Sequence, residues 1–132
     1  MLYTDSMTGL PTANAQHERI NALIDAGTAF SLMVLNLDGF RLVNNNLGAA
    51  GGNAILAQVA KIMRSAVGGR GELARASGAE FTLIVSHTHE QAQLRALAKR
   101  VQTRLERPLP FQGAIVHVAL SVGCLLYTSR CV

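Results

Sequence analysis

Two apolar segments, each of strand length and each meeting a glycine, constrain this chain most. The first covers residues 30–38 and runs through Gly39 into Phe40, Arg41 and Asn44. The second, residues 82–85, follows a stretch centred on Gly78. Short apolar runs rich in Val, Ile, Leu and Phe read as strands covered by other elements. Helical periodicity on either side of them gives an α/β or α+β sandwich, with helices flanking a central mixed, largely antiparallel sheet. A strand ending in acids, answered by a glycine-centred turn carrying acids, is a sound way to hold magnesium and a triphosphate, because magnesium takes hard oxygen ligands. Here the acids are thinned: the strand end reads Asn36, Leu37, Asp38, and the turn reads Gly78, Ala79, Glu80.

The remaining elements follow from pattern. Residues 5–11 read as a turn. An amphipathic helix with Ile20, Leu23 and Ile24 on one side stops near Gly27. Residues 48–52, dense in glycine, read as a loop before a helix over residues 54–67 with Ile55, Val59, Ile62 and Ala66 in register, broken by Gly68, Gly69 and Gly71. Residues 72–76 and 80–86 form a hairpin through Ser77, Gly78 and Ala79. Thr88 and Gln91 have capping-box spacing for a third helix. Pro108 and Pro110 close that region, and residues 114–124 form a last strand after a Gln112–Gly113 turn.

Composition excludes several classes. Of 132 residues, 49% are hydrophobic and 15% charged, which places the chain among single globular domains rather than disordered ones. No apolar run reaches the length of a membrane span, so no direct membrane contact is expected. The start carries no charged and apolar leader pattern, and Cys124 and Cys131 suggest no disulfide framework, so a cytoplasmic setting is expected. The net charge is +4, with Arg95, Lys99, Arg100, Arg104 and Arg107 on one helix opposite Leu94, Leu97, Val101 and Leu105. Without aromatic or glycine-rich partners this reads as a solvated helix face, not a nucleic-acid surface. His87 and His89 read as an exposed loop, not a metal pair.

Five ordered blocks carry a family resemblance. Residues 5–11, Asp-Ser-Met-Thr-Gly-Leu-Pro, match D-x-L-T-G-L-P. Residues 36–44 match D-x-D-x-F-K-x-x-N, and residues 47–53 match a G-H-x-x-G-D stretch. Residues 75–81 stand where R-x-G-G-D/E-E-F belongs, and residues 120–123 match a late S-I-G strand. The chain resembles the GGDEF domain of bacterial diguanylate cyclases, which join two GTP molecules into cyclic di-GMP on a nucleotidyl-cyclase-like fold. The resemblance implies a degenerate GGDEF domain over residues 1–123, incomplete at its C-terminus, and a tail over residues 124–132 that follows no family pattern. Residues 107–123 look like the subgroup joined in tandem to an EAL phosphodiesterase domain.

What the resemblance implies about the site is a list of losses and survivals. The metal positions read Asn36 and Ala79, with Asp38 on the same strand face as Asn36; two missing charges weaken divalent-ion binding severely. Glu80 is the surviving signature acid, a vestigial catalytic position. Asn44 matches the guanine-contacting Asn, while its Asp partner reads Asn53. Arg41 replaces a phosphate-facing Lys, and Gly78 keeps the turn. The inhibitory R-x-x-D motif reads Gly68 and Gly71 at its key positions. The expectation is a catalytically inactive regulatory, GTP-sensing or interaction module of cyclic di-GMP signalling. No cofactor is expected, magnesium entering only with residual activity. Candidate partners are GTP, a fused EAL or sensory domain, and a second copy; nucleic acid is not among them. The alternatives are a residual cyclase using Asp38 and Glu80, and a structural spacer or dimerisation domain.

Overall fold

The computed structural model describes residues 3–88 and 90–127, with side chains through Cys124. Its elements are α1 (Ala13–Asp25), β1 (Phe30–Asp38), α2 (Phe40–Val67), β2 (Glu72–Ser77), β3 (Glu80–Val85), α3 (Gln91–Arg104), β4 (Leu109–Phe111), β5 (Ala114–Val116) and β6 (Ala119–Tyr127). Four strands form a sheet in the order β2-β3-β1-β6, and every pairing in it is antiparallel. The parallel component reduces, among the described residues, to the single bridge Thr12–Arg75.

Alternation along β1 sorts the layers. Met33, Leu35 and Leu37 join Phe81, Leu83 and Val85 on the face covered by α2 and α3, against Ile55, Val59, Met63, Leu94, Leu97 and Val101. Phe30 and Leu32 face the other way with Ile84, where α1 covers them through Leu23 and Ile20. Each such side chain, fully buried, contributes about 1.5–3 kcal/mol. One buried polar pair sits in the α1 layer: the Thr82 hydroxyl donates to Gln16 Oε1, and Gln16 Nε2 donates to the Thr82 carbonyl at 3.4 Å.

The structure corrects three expectations. The helix expected from residue 54 begins at Phe40, and the loop expected over residues 48–52 shrinks to a kink at Gly48, with φ 73° and ψ −179°. Gly51 and Gly52 lie within the helix, where neighbouring side chains occupy the space a Cβ would need, so these two positions suit glycine. Second, Thr88 does not cap α3; its hydroxyl accepts the Glu90 N–H at 3.3 Å, and Glu90 stands at the N-cap without a side-chain cap bond. Third, the strand expected over residues 114–124 is two elements. β5 folds back on β4 through Gln112 and Gly113, both at positive φ (46° and 83°), and β6 pairs with β1 from Ala119–Asp38 to Tyr127–Phe30.

Backbone pairing therefore continues past Gly123 into residues 124–127, where the tail was expected; Cys131, residues 128–132 and His89 lie outside the described residues. His87 is exposed. Arg95, Lys99 and Arg100 of α3 are exposed, as is Arg107 beyond its end; Arg100 also donates from Nε to the Ala66 carbonyl at 2.8 Å, closing the C-terminal end of α2.

Candidate functional site

The C-terminal end of β1 collects most of the residues singled out from sequence. Asn36 pairs with Glu80 of β3 on one side and Ser121 of β6 on the other. Directly opposed residues in antiparallel strands share a face, with Cβ atoms about 4.5–5.5 Å apart. Glu80, Asn36 and Ser121 thus form a row across the sheet. Asp38 lies two residues on, on the same face. Its carboxylate accepts the Ser121 hydroxyl at 2.7 and 3.0 Å. Ser121 was not singled out from sequence. Only the strand register, with β6 laid beside β1, brings it to the site.

Ala79 sits in the β2–β3 turn, half-buried against the main core, and its carbonyl accepts the Leu37 N–H at 3.0 Å. At the position before it, Gly78 has φ 46°, a left-handed conformation suited to glycine. Positive φ at the first turn residue alone is the pattern of a II′ hairpin. An irregularity between Arg75 and Ser77 adds a bulge, so the turn is re-aimed as it leaves β2.

Arg75 holds this turn. Its Nε and Nη2 donate to the Gly78 carbonyl at 3.0 and 2.8 Å, while Nη1 donates to both Asp5 oxygens at 3.1 and 3.2 Å. Asp5 also accepts the Thr8 N–H at 2.9 Å and the Thr8 hydroxyl at 2.7 Å. Burial alone would raise the Asp5 carboxyl. The two Thr8 hydrogen bonds and the Arg75 guanidinium outweigh it and hold the group below its ordinary range. Sequence reasoning read residues 5–11 as a turn and did not assign Asp5, Thr8 or Arg75 a supporting role. The three-residue spacing from Asp5 to Thr8 is the local signal that an Asx-type turn was present.

Beyond Asp38 the chain turns through Gly39, at φ 74°, directly into α2. That helix start has no side-chain cap and no acid in its first turn, and its positive dipole end follows directly on Asp38. Arg41 and Asn44, exposed and three residues apart, share one side of the first turns. Asn53 follows the kink, half-buried, on the second helical segment. Gly52 touches Asn44: a Cβ on Gly52 would stand 1.8 Å from Asn44 Oδ1. Two clefts flank the site. One of about 430 Å³ lies between α1 and the hairpin, lined by Asp5, Thr12, Asn14, Arg75, Ser77 and Gly78. The other, about 420 Å³, lies between α2 and β5, lined in part by Asp38, Gly39, Leu42, Asn46, Ile115 and His117. Among the described residues no group of three or more His, Cys, Asp or Glu is placed to hold a metal ion. Nor is any described helix long and apolar enough to cross a membrane.

A four-stranded antiparallel sheet with two helices on one face, and a turn-borne site at the end of its central strand, defines an α+β domain of the nucleotidyl-cyclase type. The family profile described as "Diguanylate cyclase, GGDEF domain" matches residues 2–130, and the chain belongs to this family of cyclic di-GMP signalling domains. It is 35% identical over 125 residues to the cyclic di-GMP phosphodiesterase PdeR of Escherichia coli, covering 93% of this chain and 19% of that protein. It is 29% identical over 127 residues to the bifunctional diguanylate cyclase/cyclic di-GMP phosphodiesterase MucR of Pseudomonas aeruginosa, covering 93% of this chain and 18% of that protein. The chain thus spans about a fifth of the length of these relatives. Among solved structures, it superposes on a sensory box/GGDEF family protein from Caulobacter crescentus with a TM-score of 0.85 and 31% identity, covering 95% of this chain and 83% of that one.

Proposed function

We propose that this GGDEF domain is a catalytically silent regulatory module of cyclic di-GMP signalling, cytoplasmic, that senses GTP or engages a partner domain. The observation that carries this reading is the pair Asn36 and Ala79, a carboxamide and a methyl group where the family resemblance places carboxylates. Magnesium favours one or two protein carboxylates together with substrate phosphates. A carboxamide offers one neutral oxygen, and the Ala79 methyl is packed against the core. Of the acids that remain, Asp38 is engaged by Ser121 and Glu80 faces Asn36. This donor set does not fit a catalytic divalent ion, and no reaction step is routed through one.

Nucleotide recognition has more support. Arg41 keeps a cation in the first turn of α2, Asn44 and Asn53 present carboxamides, and the uncapped start of α2 offers N–H groups suited to phosphate. Gly78 leaves the hairpin backbone open, with nothing within 4 Å of its Cβ position. Because the chain spans a small part of its relatives, a fused EAL or sensory domain and a second copy are the partners this reading calls for.

The test is direct. Incubation with GTP and magnesium, followed by chromatography, is expected to give no cyclic di-GMP. Calorimetric titration with GTP is expected to show binding unchanged by magnesium. Formation of cyclic di-GMP overturns the silent reading. A folded sample that binds no GTP in either condition overturns the sensing branch and leaves the partner-domain branch.

A further inference from the structure

We infer that Gly52 is a positioning residue for nucleotide recognition: the absence of its side chain makes room for the rotamer in which Asn44 presents its carboxamide. The inference deepens the proposed GTP-sensing site and rests on that reading for its ligand.

The argument begins at the kink. Gly48 lies outside helical space and nothing crowds its Cβ position, so its role is conformational. The kink folds the first two turns of α2 against the next segment, and two adjacent glycines receive them. On Gly51, a Cβ would fall 2.3 Å from Leu47 Cβ and 3.2 Å from Phe111 Cε2. On Gly52, it would fall 1.8 Å from Asn44 Oδ1 and 3.0 Å from Asn44 Cγ. Both glycines are buried, whereas Asn44 is exposed.

The two contacts differ in kind. Leu47 Cβ is fixed to its backbone, so a side chain at position 51 forces the kinked segments apart. Asn44 Oδ1 is the far end of a side chain with two rotatable bonds, so a methyl group at position 52 is relieved by rotating Asn44 while the backbone stays in place. Gly51 therefore closes the kink, and Gly52 sets the direction of the amide. A carboxamide reads a base edge through one acceptor and one donor in a fixed plane, so its rotamer is its specificity.

Nuclear magnetic resonance on the whole chain tests this without assuming a ligand. In Gly52→Ala, the Asn44 side-chain amide signals are expected to move more than any others, with the unfolding temperature no lower than that of the parent. Gly51→Ala is expected to lower the unfolding temperature. GTP titration then reads the consequence. Gly52→Ala and Asn44→Ala each weaken binding by about five- to tenfold, the loss of one neutral hydrogen bond. The double variant is expected to be no weaker than Asn44→Ala alone, because Gly52 acts through Asn44. ATP binding is expected to fall less than GTP binding, a selectivity change that a purely structural role does not produce. Unmoved Asn44 amide signals in Gly52→Ala overturn the inference, as does an additive loss in the double variant. If the parent binds no GTP, the sensing reading fails by itself, and the Asn44 signals still decide the role of Gly52.

Discussion

One side chain, Arg75, joins Asp5 to the carbonyl of Gly78, so the turn that opens the domain and the hairpin that carries the site are held by the same guanidinium. The pair is largely buried, with 15% and 20% of the two side chains exposed. Removing one partner strands the other in a partly dry setting. Arg75→Ala is therefore expected to destabilise by about 1–3 kcal/mol in urea unfolding. By contrast, Arg19→Ala, which breaks the exposed pair with Glu72, is expected to cost about 0–1 kcal/mol. Equal losses from the two variants would remove Arg75 from its anchoring role.

The same contact gives a pH dependence. The Asp5 carboxyl is lowered in the folded state, so its contribution to stability is present above the unfolded value of about 3.9 and is lost as pH falls through the lower folded value. Urea midpoints measured from pH 6 downward, a range of about that breadth around the carboxylate values, are expected to fall more steeply for the parent than for Asp5→Asn. Parallel curves for the two proteins would show that Asp5 does not carry the effect.

Gln16 and Thr82 form a closed polar pair between α1 and β3, with Gln16 7% and Thr82 7% exposed. Thr82→Val leaves the Gln16 amide oxygen without its donor and is expected to cost about 1–3 kcal/mol. Combining it with Gln16→Leu removes both polar groups and is expected to recover most of that loss. A double-mutant cycle by chemical denaturation reads the coupling, and additive losses would mean that the two side chains do not depend on each other.

How much of this was legible in the sequence depended on whether the signal was local. β1 and the β2–β3 hairpin were readable because alternation and a glycine turn coincide, and α1 because Ile20 and Leu23 recur at helical spacing. The start of α2 was not. Five residues with three glycines, Gly48 to Gly52, have poor intrinsic helix propensity, and the neighbours that reserve positions 51 and 52 for glycine, Leu47, Asn44 and Phe111, are brought there only by the fold. Asn36 and Asp38 were readable as one face by alternation. Ser121 was not, because its place beside them is set by β6 pairing across the whole of β1. The Asp5–Arg75 contact joins residues 70 apart in sequence, and no local pattern announces it.

Gly48 gives the cleanest separation of backbone from packing. Its φ of 73° is disfavoured for a residue with a Cβ, yet no atom lies within 4 Å of where that Cβ would stand. Gly48→Ala is therefore expected to destabilise by about 1–3 kcal/mol through conformation alone, measured by denaturant unfolding. A gain in stability, as for an ordinary helix-interior Gly→Ala change, would mean that the kink relaxes and that α2 can straighten without cost.

Restoring charge tests the silence of the site. Asn36→Asp combined with Ala79→Glu returns carboxylates to both positions beside Asp38 and Glu80. Without a cation the added acids repel their neighbours, and the new Glu must leave the core contact that the Ala79 methyl makes. The double variant is therefore expected to unfold at a lower temperature than the parent in chelator. With magnesium added, a ligand that binds only the folded state raises stability by mass action, about 2.7 kcal/mol at a hundredfold excess over its dissociation constant. Thermal unfolding with and without magnesium is expected to show a rise for the double variant and none for the parent. A comparable rise in the parent would mean that Asn36, Asp38 and Glu80 already bind the ion, and the catalytically silent reading would lose the observation on which it stands.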